Sequence, residues 1–352
     1  MQRLLLGCNG RSAQHVPGSP PSIDDQFRMV KESGVYDFFD RMPQPGQEQE
    51  YLRASERHGL PMLTGLWSYT AGKDEELLRR NLELTRDSGG ECHNIMLFRD
   101  HADGHPLSDE EVLAFYRLAY EEGVRLGVEI TFEVHIYMWS EDVRRVLRVA
   151  DLVRAAGMPF QFLLDHSHVL LKLENPQEQD ACGIRDDVAA GRLVLDPFEP
   201  GNILDAWIAE NFTLWHSVRP VAPNGPRNAW ARHPDGREGR ACQYPYLRPR
   251  PGEWHSEWHA YKLEPSREVV RKVLRAHLQR PDSRLRYITT ELIDLPDYGE
   301  GARYSLFEHS VALATWIRET EAALRLQLEA TPCEGRVTDR SPAAATRRPA
   351  IR

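Results

Sequence analysis

The sequence predicts an α/β protein folded as a single (β/α)8 barrel of the TIM type, and three observations carry that expectation. Short β-like runs alternate with amphipathic helical stretches about eight times, at roughly the 30-residue length of one strand–helix–strand unit. Strands joined through such helices run parallel with right-handed crossovers, and eight units close on themselves. The chain has 352 residues, 41% of them hydrophobic and 28% charged, which is an ordinary globular balance with apolar material for one large core. An open nucleotide-binding sheet is the competing arrangement. Its glycine fingerprint is missing, since the Gly7–Gly10 stretch is neither GxGxxG nor a P-loop.

The first β-like run is Arg3–Asn9. A helix over Ile23–Ser33 follows, started by Pro20, Pro21 and Ser22 and stopped at Gly34. The second run, Val35–Met42, leads to a helix over Gln47–His58 that ends at Gly59. The third run is Pro61–Tyr69, with a helix over Asp74–Asp87 and then two glycines. The fourth is Cys92–Phe98. After it, Ser108 followed three residues later by Glu111 reads as a capping box opening a helix that ends near Gly127. Val128–Tyr137 is the fifth run, with a helix over Ser140–Ala156. Phe160–His166, Phe212–Val218 and Leu285–Ile293 complete the eight, with helices over Ser266–Gln279 and Leu306–Leu328.

Two stretches depart from the repeat. Residues 224–264, after the seventh run, form a long insertion rich in Pro, Arg and aromatics, and a loop of this length in a compact domain is usually functional. The barrel is therefore expected over residues 1–329 with this insertion above its mouth. Residues 330–352 lack apolar periodicity and read as a disordered tail.

The charge balance excludes some partners. Lys and Arg number 44 against 53 Asp and Glu, a net charge of −9, which disfavours a nucleic-acid partner. No apolar run reaches the ~18 residues of a membrane span, and Met1–Gly7 is too short for a secretion signal. Five scattered cysteines without CxxC spacing fit a reducing compartment, so a cytoplasmic location is expected.

Active sites of parallel barrels lie at the carboxyl ends of the strands. The fifth run ends Phe132-Glu133-Val134-His135, where period-2 alternation sets Glu133 and His135 on one face. The sixth ends at Asp165, a carboxylate closing an apolar run, which is costly unless paired or ligated. The seventh contains His216 and the eighth Glu291. Three carboxylates and an imidazole at one height would repel unless a divalent cation joined them. Glu133, Asp165, His216 and Glu291 are thus the expected metal ligands. The mixed oxygen and nitrogen donors suit one Mn2+, with Mg2+, Co2+ and Zn2+ also compatible.

Such an ion polarises a carbonyl and stabilises an enediolate, while a nearby carboxylate removes the adjacent proton. Return of the proton to the neighbouring carbon is isomerisation, and return to the opposite face is epimerisation. Expulsion of a β substituent makes the enzyme a lyase. His135 shares the face of Glu133 and is a second candidate for the base. Trp67 and His101, ending the third and fourth runs, are candidates for the pocket wall. Trp230 and Trp254 in the insertion read either as stacking platforms for a sugar or aglycone or as packing residues.

The chain resembles the xylose-isomerase-like (AP endonuclease family 2) TIM barrels, a superfamily of many sugar isomerases and epimerases. The likeness spans Arg3–Leu328. It is carried by Phe-Glu-x-His at Phe132–His135, Asp-x-x-His at Asp165–His168, His216 and Glu291. The ketose 3-epimerase branch implies that Glu133 and Glu291 ligate the metal and exchange the proton, that Asp165 and His216 are ligands, and that His168 contacts substrate. That branch carries an arginine six residues after the metal histidine. Here the position is Ala222, and Arg219 is the nearest arginine to grip substrate.

The expected function is a divalent-metal-dependent sugar isomerase or epimerase acting on a small carbohydrate. The alternative within the family is a lyase cleaving 3-oxo-O- or C-glycosides by β-elimination. A DNA-repair endonuclease is disfavoured by the charge and by the absence of histidines at the ends of the second and third runs. An inactive barrel kept as a binding subunit is disfavoured by the intact quartet. The resemblance also implies a homo-oligomer or a small partner subunit.

Overall fold

The computed structural model describes residues 3–330. Eight strands form a closed barrel, β1 (Leu5–Asn9), β2 (Phe38–Asp40), β3 (Thr64–Tyr69), β4 (Cys92–Leu97), β5 (Glu129–Glu133), β6 (Phe162–Asp165), β7 (Thr213–Val218) and β10 (Tyr287–Thr290). All eight ladders are parallel, in the order β1-β10-β7-β6-β5-β4-β3-β2. The antiparallel hairpin β8 (Asn228–Arg232) and β9 (Glu238–Gly239) lies in the insertion.

The helices α1 (Ile23–Glu32), α2 (Glu48–His58), α3 (Glu75–Asp87), α4 (Asp109–Leu126) and α5 (Arg145–Ala155) follow the first five strands. The ends of α1–α4 sit within a residue of where the sequence placed them, whereas α5 begins at Arg145 instead of Ser140, after a 3-10 turn over Trp139–Glu141. Ser108 and Glu111 form both bonds of the capping box, and Gly59 and Gly127 take the left-handed conformation at the ends of α2 and α4. Between β6 and β7, where the sequence showed no repeat, four short helices occur: α6 (Ser167–Leu170), α7 (Pro176–Ala181), α8 (Arg185–Ala189) and α9 (Ile203–Ala209). The last two helices are α10 (Glu264–Gln279) and α11 (Leu306–Ala330). Residue 330 is thus helical, and the tail expectation for 331–352 falls outside the described residues.

One apolar layer lies between the strands and the helices. A second cluster plugs the barrel interior: Phe38, Cys92, Leu163, Leu214, Trp215 and Tyr287. Gly7 admits this plug, because a Cβ there would stand 2.3 Å from the Phe38 ring. The plug fills the barrel toward its amino end, and a cavity lies at the carboxyl end. No helix of the described residues is long and apolar enough to cross a membrane.

One irregularity decides the site. In the β6–β7 ladder Phe162 faces Thr213, but the next pair is Leu163 with Trp215, so Leu214 is an extra residue in β7. Beyond it, Leu164 pairs with His216 and Asp165 with Ser217. Had the first register continued, His216 would have stood level with Asp165 on the inner face. Because a one-residue slip turns a side chain to the opposite face, His216 points outward instead.

Candidate active site

A cavity of about 520 Å³ opens at the carboxyl ends of the strands. Its wall includes Asn9, Asp40, Trp67, Asn94, Glu133, His135, Ser217, Arg219, Glu291 and Tyr298. Strand alternation explains this set. Asn9, Asp40, Asn94, Glu133 and Ser217 are inward-facing strand residues, while the backbone just past β5, β7 and β10 delivers His135, Arg219 and Glu291.

The polar groups are tied together. Arg219 is buried, with Nη1 3.0 Å from Asp165 Oδ2 and Nη2 2.8 Å from Glu291 Oε2. The Tyr298 ring lies 4.4 Å from its guanidinium carbon. Glu291 also accepts from the Ser217 hydroxyl at 2.8 Å and from Asn9 at 3.4 Å. Asn94 donates to Glu133 at 2.5 Å and accepts from Thr131 at 3.0 Å, which fixes its amide orientation. His135 Nδ1 lies 2.6 Å from the Ile136 carbonyl, so Nδ1 carries the proton and Nε2 accepts from the Tyr298 hydroxyl at 3.0 Å. His168 Nε2 lies 3.3 Å from Asp165 Oδ2 and 3.1 Å from Arg219 Nη1, and the His135 and His168 rings are 4.0 Å apart.

These settings separate the carboxylates. Burial, then the charges of Glu291 and Asp165, push Glu133 well above the usual carboxylate range. Burial also raises Asp40, to about 7, although Thr64 donates to it at 2.6 Å. Asp165 is buried too, yet the Arg219 charge holds it well below the usual range. Burial keeps His135 and His168 neutral at physiological pH, His168 with a pKa of about 4.

The structure does not bring the four expected metal ligands to one shared point. His216 lies on the outer face, its Nε2 3.0 Å from His166 Nδ1, and His166 in turn meets Ser266 of α10 at 2.7 Å. Asp165 sits behind Arg219 rather than on the cavity wall. A guanidinium therefore stands where two of the expected carboxylates would have met an ion.

Four other residues expected to meet substrate are off the cavity wall: His168 is fully buried beside Asp165, and the remaining three lie in loops or the insertion. His101 belongs to the loop after β4, 3.1 Å from Asp103. Trp254 is buried against Tyr244, His255 and Tyr304, and Trp230 packs beside His255 and Arg303. Neither tryptophan lines the cavity, because the insertion lies behind the segment after β10 rather than over the mouth. Asn228 donates to the carbonyls of Pro296, Tyr298 and Glu300, and Gln243 accepts from Ile293 N at 2.8 Å. Gly239 allows this approach, since a Cβ there would stand 1.7 Å from the Pro296 oxygen. The insertion thereby props the segment that carries Tyr298.

Asn9, Asp40, Asn94, Ser217 and Tyr298 are among the polar wall residues that sequence reasoning passed over. Asp40 shows the same signal as Asp165, a carboxylate closing an apolar strand. Tyr298 has no strand periodicity to reveal it.

No protein-family model and no curated protein sequence matches the chain. Solved structures do. A D-allulose 3-epimerase from Methylomonas sp. is 12% identical over 91% of this chain and 99% of its own, with a TM-score of 0.53. An L-ribulose 3-epimerase is 11% identical over 93% and 97%, with a TM-score of 0.54. A xylose isomerase-like TIM barrel protein from Mycobacterium smegmatis, in complex with magnesium, is 11% identical over 92% and 98%, with a TM-score of 0.53. The chain has the fold of the xylose isomerase-like TIM barrels.

Proposed function

We propose that the protein is a sugar isomerase or epimerase that moves a proton at a carbon next to a carbonyl. The observation that carries this reading is the pair Glu133 and Glu291. Both carboxyl groups face one cavity from different strands, in opposite electrostatic settings. Glu133 is desolvated and without an ion-pair partner among the described residues, which favours its protonated form. Glu291 is joined to Arg219 and Ser217 and meets the substrate as a carboxylate. Two titratable groups pushed apart by their surroundings form an acid/base pair.

In one direction Glu291 removes the proton and the electron pair moves onto the carbonyl oxygen. Glu133 then gives its proton to the resulting enediol carbon. In the reverse direction the two exchange roles. The Tyr298 hydroxyl and the Arg219 guanidinium form the electropositive part of the wall, against which the developing oxyanion is stabilised. The similarity of the fold to two ketose 3-epimerases supports a ketose as substrate class. The lyase reading leans on the long aromatic insertion and the missing arginine; of the insertion's aromatics, Trp230 and Trp254 stand away from the cavity.

Incubation with a panel of ketoses in D₂O, with Mn2+ or Co2+ added, tests the proposal. Deuterium should enter the carbon next to the carbonyl with the carbon skeleton intact, and Glu291→Gln should abolish the exchange. Absence of exchange with every ketose, or release of an aglycone from a 3-oxo-glycoside instead, overturns it.

A further inference from the structure

We propose that the cavity takes a ketose whose far end carries an oxyanion, a phosphate or a carboxylate, and that Arg41 and Arg11 hold that group. The inference rests on the sugar reading above and adds the charge of the substrate to it.

The barrel brings the two arginines to one side of the cavity. Asn9 and Asp40 are partners in the β1–β2 ladder, so the chain leaves both strands side by side. Arg41 follows Asp40 at once, Arg11 follows Asn9 after one glycine, and both line the cavity. Gly10 makes the room: a Cβ there would stand 3.1 Å from Arg41 Cδ and 2.9 Å from the Phe39 ring, so the Arg41 stem lies against bare backbone. The Asn9 side chain accepts from Arg11 N at 3.0 Å and fixes the turn.

Charge then asks for an anion. Arg41 is partly buried, yet it forms no hydrogen bond or ion pair with any described residue. Asp40 feels its charge without pairing with it, and the Asp40 oxygens go to Thr64 and Asn9. Arg11 meets one carboxylate, Asp294, at 3.4 Å, and Asp294 also accepts from Gly18 N at 3.1 Å. The other charges of the wall are committed. Arg219 lies between Asp165 and Glu291, so it is not free to grip substrate as the sequence suggested. Asp297 accepts from the Tyr137 hydroxyl and from Arg240 N, and lies 2.8 Å from His233 Nε2. Two guanidinium groups on one side of a cavity repel until an anion joins them. Their planar forks match the oxygens of a phosphate or a carboxylate. Glu291 follows β10, the neighbour of β1, so the arginines stand beside the acid/base pair rather than upon it. The oxyanion therefore belongs to the end of the ketose away from the reacting carbon.

The test is calorimetric binding to the full chain. Fructose, tagatose, ribulose and xylulose are each compared with their terminal phosphates, and fructuronate and tagaturonate form the carboxylate arm. Wild type should bind at least one anionic ketose about tenfold tighter than its neutral counterpart, and the two arms tell phosphate from carboxylate. Arg41→Gln should lower that preference by about tenfold, the worth of one charged hydrogen bond. Arg41→Lys should keep part of it, and Arg11→Gln should lower it less. Arg79→Gln, on the outer helix α3, should leave it as in wild type. Melting temperatures monitor folding. Binding is read without turnover, so this inference and the sugar reading fail separately. Deuterium exchange into neutral ketoses with no preference for the anionic ones overturns the inference alone. No binding of any anionic ketose, or a preference unchanged in Arg41→Gln, also overturns it.

Discussion

Arg219 Nη1 lies 3.0 Å from Asp165 Oδ2, and neither side chain reaches solvent. Removing one member of a buried ion pair strands the other charge. Arg219→Met should therefore lower stability by about 3–5 kcal/mol. Chemical denaturation of variant and wild type checks this. Arg219→Lys should recover only part of the loss, because an ammonium cannot span Asp165 and Glu291 together as the guanidinium fork does.

Glu133→Gln and Glu291→Gln keep side-chain shape and replace the titratable carboxyl with an amide that neither accepts nor supplies a proton at neutral pH. Each should lower turnover by about 10²–10⁴-fold, the usual worth of a positioned acid or base. Circular dichroism should match wild type in both. Equal activity in either variant removes that residue from the proton path.

Asn228 supports the site from a distance. Its amide donates to three carbonyls of the segment holding Tyr298, at 3.2, 3.3 and 2.9 Å. Asn228→Ala strands the buried Tyr298 carbonyl and loosens two part-buried ones, and should cost about 1–3 kcal/mol. It should also lower turnover, although Asn228 does not line the cavity. Hydrogen exchange of residues 296–300 checks the mechanism and should be faster in the variant.

Buried neutral histidines set the acid limit of the fold. Burial lowers His93 to about 3 and His309 to about 4, against an ordinary value of 6.5. His93 is held between the Tyr69 hydroxyl and Thr85 Oγ1, each 2.8 Å away. Below pH 6.5 the unfolded chain binds protons that the folded chain refuses, so stability falls as pH falls toward these values. The melting temperature should drop between pH 7 and pH 5, and the drop should shrink in His93→Gln.

Much of the barrel was legible because its signals are local and redundant. Each strand is an apolar run, and each helix from α1 to α4 has a cap or a glycine stop at one end. Glu133 and His135 could be placed on one face because alternation holds through β5 and just past it. The same rule misplaced His216, since nothing in Thr213-Leu214-Trp215-His216 marks an extra residue. A bulge is a property of the ladder with β6, not of β7 alone. Tyr298 was hidden for a related reason. It reaches the cavity only because Asn228 and Gln243, remote in sequence, shape its loop. Trp230 and Trp254 were weighed as platforms or packing, and contacts with His255, Tyr304 and Arg303 account for them as packing.

The surplus Leu214 also displaces every pairing with β6, from there to the end of β7, by one residue from the one that counting letters would give. His216 is thereby held away from the cavity, and Ser217 and Arg219 are what this stretch presents to it instead.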